Sequence, residues 1–179
     1  MKQCCRTSVG VIILNTDRTE MLLIERGTLP AGHAPVAGHA LDEHDSYRAA
    51  AHEEVEEEIG LTVTDLLALD VGGYHPGRCR RANSDGHFWE LFEAVVDGDL
   101  SPSEREVRSV AWWPLADLQT LADRTADYAA GRLTTAEFTA RPGLEPVWCH
   151  HLAELDYITL DDADRDRIED LAATPPAQH

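Results

Sequence analysis

Residues 49–61 read AAAHEEVEEEIGL, which sets Glu53, Glu54, Glu56, Glu57 and Glu58 within six positions and ends on Gly60-Leu61. Ala51, Val55 and Ile59 recur every four residues, the spacing of a buried helical stripe. Gly60 fits the left-handed position that closes a helix, and Asp45 or Ser46 fits its N-cap. The stretch is therefore predicted to be a helix buried along one side. Carboxylates three or four residues apart on a helix are neighbours and repel, so this helix needs a cation among its acids. At about 100° per residue, Glu57 lies roughly 60° to one side of Glu54 and Glu58 roughly 40° to the other. These three share a face beside the apolar stripe, while Glu53 and Glu56 point elsewhere. Hard oxygen donors grouped in this way suit Mg²⁺ or Mn²⁺.

Working outward, residues 7–14 (TSVGVIIL) and 21–25 (MLLIE) are apolar, largely β-branched or leucine-rich runs around a turn-forming Asn15-Thr16-Asp17-Arg18, and predict a hairpin. Residues 27–44 are rich in Gly, Pro, Ala and His without a period, which predicts a loop with a geometric or functional task. Residues 64–71, 87–96 and 107–113 are further strand candidates, Asp97-Gly98-Asp99 is a turn, and residues 115–130 read as a helix. Strands interleaved with one central helix and a second late helix predict an α/β fold with a mixed sheet covered on both faces. Beyond residue 130 the character changes. Thr134 and Glu137 make a capping-box pattern, Arg141-Pro142-Gly143 interrupts it, and residues 161–172 form an acidic helix. The expected organisation is a domain over residues 1–130 and a C-terminal helical extension over 131–179 that is not an independent domain. Its expected task is to cap the site or to form a homodimer contact.

With 43% apolar residues in 179, the chain can fill one core. Its 15 basic against 33 acidic residues give a formal charge of −18, which argues against a nucleic-acid polymer or an anionic membrane as partner. A small phosphorylated substrate then needs locally supplied cations. No apolar run reaches the length of a membrane span and the first residues lack a cleavable-signal pattern, so a cytoplasmic location is expected. Cys4, Cys5, Cys79 and Cys149 have neither disulfide-framework density nor regular metal-site spacing, and reduced thiols are expected. A minor alternative joins Cys4 and Cys5 to Cys149, His150 and His151 around zinc.

Residues 38–61 resemble a degenerate Nudix box. That box opens on glycine, carries a first glutamate, and ends in the run Arg-Glu-apolar-any-Glu-Glu-any-Gly-apolar. Glu54-Val55-Glu56-Glu57-Glu58-Ile59-Gly60-Leu61 matches the end of this run in full, with Glu53 where the arginine belongs. Counting back places Asp45 at the first glutamate and His39 at the opening glycine, with Gly38 just before it.

The resemblance, over roughly residues 5–127, implies the family's α/β/α sandwich. It also implies a Mg²⁺-dependent pyrophosphohydrolase acting on a nucleoside diphosphate linked to another group or on a related diphosphate. Glu54, Glu57 and Glu58 fall on the family's metal-binding glutamates and are the expected catalytic and metal residues, with Glu58 or Glu54 polarising the attacking water. Glu53 and His39, in place of the box arginine and glycine, motivate an alternative, a non-catalytic Nudix-fold module that binds a nucleotide or metabolite. An isomerase of prenyl diphosphates also occurs on the fold, but no cysteine here is specified for its proton transfer. Arg48, one turn before Glu53, is a candidate replacement for the box arginine.

Outside the box, Arg78, Arg80 and Arg81 cluster in a Gly-containing loop and suit bidentate phosphate recognition, or else pair with surface acids. His39 is expected at the site entrance, presenting its imidazole to substrate. Tyr74 and His75 are the candidates for stacking on a base. Glu106 is either an additional site glutamate, as some family members have, or a solvated strand-end acid. Trp89, Trp112 and Trp113 are expected in the core or on sheet faces.

Overall fold

The computed structural model describes residues 3–27, 31–79, 81 and 84–174. Strands β1 (Thr7–Ile13), β2 (Glu20–Arg26), β3 (His33–Ala34) and β4 (Val36–His39) lead into helix α1 (Tyr47–Ile59). Strands β5 (Thr62–Pro76), β6 (Gly86–Asp97) and β7 (Val107–Pro114) follow, and then helices α2 (Leu118–Ala129), α3 (Thr135–Ala140), α4 (Pro146–Glu154) and α5 (Asp162–Ala173). The strands form two sheets: β4-β1-β6-β5, with β1 and β6 parallel, and an antiparallel β3-β2-β7. This is the α/β fold with a mixed sheet and C-terminal helices that the sequence predicts.

Helix α1 starts where the side chain of Ser46 accepts from Ala49 N–H and ends at Gly60 with φ 75°. Ala51, Val55 and Ile59 are all fully buried. The capping box of α3, with Thr134 and Glu137 satisfying each other's backbone, is also formed.

Three local expectations need correction. β1 and β2 are not a paired hairpin; after a single bridge between Leu14 and Met21 they diverge into different sheets, because each finds better partners in β6 and β7. The stretch 27–44 contains β3 and β4, which are too short for a periodicity signal. β5 runs on to Pro76, so Tyr74 and His75 stand on a strand and not on a loop. Register shifts in the β5–β6 pairing absorb the added length, and Gly72 and Gly73 there take φ of 117° and 94°, a region in which side-chain-bearing residues are strained.

Alternation along the strands decides which residues reach which face. Val9 of β1 pairs with Gly38 of β4, and a Cβ on Gly38 would collide with the carboxyl of Glu54 on α1. That face carries α1. On the opposite face, Gly10 lies under Trp148 of α4, where a Cβ would stand 2.6 Å from the indole.

The helices after residue 130 therefore enter the core. Trp148, Cys149, His151 and Leu152 are fully buried. The segment before α4 is tied to β3 by His33 N–H donating to Gly143 O and Glu145 N–H to His33 O. Thr125 of α2 adds a hydroxyl donation to Leu144 O at 2.7 Å. Trp89 sits between the sheet and α4, with ring contacts to Trp148 and His151. Among the described residues no helix is long and apolar enough to cross a membrane.

Candidate functional site

A cleft of about 600 Å³ runs past the edge strand β4, lined on one side by Glu53, Glu54, Glu57 and Glu58 of α1, by Arg26 of β2, and by Arg105 and Glu106 in the turn before β7. Its other walls include His39, Arg78, Cys79, Arg81 and His87, and Glu145 at the start of α4.

Glu54, Glu57 and Glu58 share the cleft as the helix angles predict, and Glu53, expected to point elsewhere, lines it too. Glu58 is 5% exposed, Glu54 is half-buried and Glu57 is exposed. Glu54 reaches over β4 at Gly38, whose lack of a side chain is what admits the carboxyl. The close-approach glycine of the box is thus present one position before the alignment predicts. Glu58 accepts a 3.3 Å hydrogen bond from Ala37 N–H.

Burial pushes the Glu54 carboxyl up to about 8, with Glu58, Glu57, Glu106 and Asp42 adding repulsion. Burial likewise pushes Glu58 up to about 7, against the opposing influence of Arg26 and the Ala37 N–H. Both shifts are chiefly the cost of burying charge, with neighbouring carboxylates raising Glu54 further, so a cation bound among them is what holds such groups ionised together. Hard oxygen donors in that state fit a Mg²⁺-like cation, which uses a few carboxylates together with water and substrate oxygens. The glutamate oxygens do not converge as tightly as the two sets among the described residues whose ligand atoms all fall within 4.8 Å. Those are Cys4, His39, Cys79 and His87, and His75, His151 and Glu154.

Glu53, in the position of the box arginine, is exposed and lies 3.1 Å from His44 Nδ1. Arg48 does not replace that arginine. It donates to Leu66 O at 3.0 Å and lies over the Phe92 ring, directed at β5 and β6. The cation that acts on Glu58 is Arg26, at the end of β2. Nothing in the sequence around Arg26 marks it, because its role depends on β2 joining the second sheet. Glu106 is brought to the cleft and adds to the repulsion on both Glu54 and Glu58, so of its two sequence readings the site glutamate is the one the geometry favours. Glu145 was not distinguishable by sequence. It is buried, its carboxyl is pushed up by desolvation, and Arg26 is its nearby countercharge.

Of the residues expected to meet substrate, His39, Arg78 and Arg81 line the cleft, and Arg80 lies outside the described residues. Arg81 is ion-paired with Asp42. Arg78 is exposed, and its backbone N–H is held by Ala172 O of α5. His39 Nε2 faces Cys79 Sγ at 3.2 Å and Cys4 Sγ at 3.6 Å. His75 is packed against the rings of His150 and His151, while Tyr74 packs on Phe88. The alternative cysteine set is not assembled: Cys149 is buried beside Thr125, whereas Cys4 meets His39 and His87.

Compared with family models, residues 6–135 match the NUDIX domain. The chain belongs to the Nudix family. The comparison with curated proteins gave no match.

Among solved structures the Nudix chain is similar to the MutT NUDIX hydrolase from Burkholderia pseudomallei, at 21% identity over 62% of this chain and 84% of that one, with a TM-score of 0.51. It is also similar to the MutT protein from Methanosarcina mazei Go1, at 21% identity over 67% and 84%, TM-score 0.51. The NUDIX domain of Shewanella oneidensis NrtR complexed with ADP ribose matches at 18% identity over 67% and 78%, TM-score 0.52. Identities this low speak for the fold alone. The matched family segment ends before α4, so the helices that bury Trp148 and supply Glu145 lie beyond it.

Proposed function

We propose that this Nudix protein is a Mg²⁺- or Mn²⁺-dependent pyrophosphohydrolase that cleaves a nucleoside diphosphate linked to another group, or a related diphosphate, in the cytoplasm. The observation that carries the reading is the buried Glu58 and the half-buried Glu54, the latter seated over Gly38, with Glu57 and Glu106 beside them and open to one cleft. A divalent cation held by Glu54, Glu57 and Glu58 supplies phosphate-charge neutralisation and a more acidic water.

The chain's own groups account for the rest. Glu54 or Glu58, as carboxylates at the cation, polarises the attacking water. Arg26 supports the ionised form of Glu58 and takes over the electrostatic part of the missing box arginine. Arg78 and Arg81 bind the diphosphate from the opposite wall, with His39 beside them. A phosphate must compete with Asp42 for Arg81, whereas Arg78 is exposed at the cleft. These cations are what allow a polyanion into a chain with a formal charge of −18.

The neighbour complexed with ADP ribose supports starting the substrate panel with nucleoside diphosphate sugars, followed by dinucleoside polyphosphates and nucleoside triphosphates. Purified protein with Mg²⁺ or Mn²⁺ is expected to release phosphomonoesters or pyrophosphate from at least one compound, and Glu58→Gln is expected to abolish that release. Full turnover by both Glu57→Gln and Glu58→Gln would contradict the assignment. The second reading, a binding module without turnover, draws on Glu53 standing where an arginine is expected and facing His44. Calorimetric binding of a panel member with no product under either metal selects it.

A further inference from the structure

We propose that Cys4, His39, Cys79 and His87 form a tetrahedral zinc site, separate in chemistry from the glutamate site and structural in role. Their four ligand atoms all lie within 4.8 Å of one another. Cys4 Sγ is 3.1 Å from His87 Nε2, His39 Nε2 is 3.2 Å from Cys79 Sγ, and Cys4 Sγ is 3.6 Å from His39 Nε2. With Zn–S near 2.3 Å and Zn–N near 2.0–2.1 Å, neighbouring ligands of a tetrahedral ion stand about 3.3–3.8 Å apart. The observed sulfur–nitrogen separations fall within that edge or a few tenths of an ångström short of it, so an ion needs only small side-chain adjustments to enter.

The surroundings are also those of a thiolate–imidazole site. Each sulfur accepts a backbone N–H from the residue two positions on, Arg6 to Cys4 and Arg81 to Cys79, both at 3.3 Å. Amide donation of this kind stabilises negative charge on sulfur. His87 Nδ1 lies 2.6 Å from Ser8 Oγ. With Ser8 accepting from Nδ1–H, the lone pair of Nε2 is directed at the sulfurs, the outer-shell arrangement that metal-bound histidines require.

Three of the four ligands are anchored by adjacent strands of one sheet. Cys4 precedes β1, His39 ends β4 and His87 opens β6. Only Cys79 comes from the connection between β5 and β6, which also carries Arg78 and Arg81. Two soft thiolates and two imidazoles select Zn²⁺ over Mg²⁺, and four protein ligands close its coordination. The ion therefore fastens the arginine-bearing connection to the sheet. It does so across β4 from Glu54, because Gly38 and His39 alternate to opposite faces. Binding releases the two thiol protons to solvent and leaves two thiolates that balance the charge of the ion.

The chain is purified without chelator from zinc-supplemented cells and its zinc content measured by inductively coupled plasma mass spectrometry. One zinc per chain is expected, unchanged by Glu54→Gln and by Cys5→Ser, whose thiol is adjacent but outside the set. Cys79→Ser and His87→Gln are expected to lose it, and Ser8→Ala to weaken zinc affinity by about 10–100-fold. Reconstitution with Co²⁺ adds a readout on the unmodified chain itself: intense visible bands and sulfur-to-cobalt charge transfer are expected there, and neither after Cys79→Ser. Any of three results overturns the proposal: no zinc after reconstitution and desalting, zinc retained by both Cys79→Ser and His87→Gln, or a Cys4–Cys79 disulfide in freshly purified protein.

Discussion

Removing the charge of Glu54 should stabilise the metal-free protein, by an amount that depends on pH. The folded carboxyls of Glu54 and Glu58 lie at about 8 and about 7, raised from 4.5 chiefly by burial. Because the folded state holds these protons more tightly than the unfolded chain, stability falls as pH rises from the unfolded value through the folded ones. Between about pH 6.5 and about pH 8.5, Glu54 contributes a loss of about 2 kcal/mol and Glu58 somewhat under about 1 kcal/mol.

The buried histidines act in the opposite sense in the lower half of this window. His75 and His150 are lowered to about 4, and His33, His87 and His151 are lowered as well, chiefly by burial, so near pH 6.5 the unfolded chain still binds protons on them and stability rises as these are lost. That contribution is common to the unmodified protein and Glu54→Gln, so the difference between the two isolates the Glu54 carboxyl: about 2 kcal/mol, or roughly 4–8 °C in Tm for a chain of this size. Thermal melts followed by circular dichroism in chelator should show the Tm of the unmodified protein changing less favourably with rising pH than that of Glu54→Gln, by about that amount. Saturating Mg²⁺ should restore the unmodified protein at the higher pH, and Glu54→Gln much less. Equal pH slopes for the two proteins in chelator would refute the reasoning.

Gly38→Ala drives a methyl into the Glu54 carboxyl; it should cost about 1–3 kcal/mol and weaken Mg²⁺ binding, both readable by melts with and without the ion. Trp148→Ala empties a fully buried site against β1 and should cost about 3–5 kcal/mol in urea unfolding, although it lies outside the family segment. Arg26→Gln should raise the apparent pKa on the acid limb of the kcat/KM profile, because Glu58 loses its favourable cation. Arg48→Gln should leave that limb in place, and the reverse pattern would return the box-arginine role to Arg48.

Most of the frame was legible because it rests on local signals. The Ser46 cap, the Gly60 terminator and the Ala51–Val55–Ile59 stripe are all read within one helix, and angular arithmetic alone separated Glu54, Glu57 and Glu58 from Glu56. What the sequence hid is non-local. The divergence of β1 from β2 depends on partners more than eighty positions away in the chain, such as Thr7 with Phe88 and Glu20 with Pro114, and this is what carries Arg26 to Glu58. The role of Gly38 becomes visible only when α1 crosses β4. Cys4, His39, Cys79 and His87 have no regular spacing because three of them come from different strands of a sheet whose order differs from chain order. Trp148 was read as part of an appendage because its partner, the bare face at Gly10, lies at the other end of the chain.

Crystals soaked in Mn²⁺ and measured at the manganese absorption edge test the central claim most directly. The account predicts an anomalous peak within coordination distance of the Glu54, Glu57 and Glu58 carboxylates, on the α1 side of β4, and its disappearance in Glu58→Gln. Manganese bound elsewhere in the cleft, with those carboxylates uncoordinated, would contradict it.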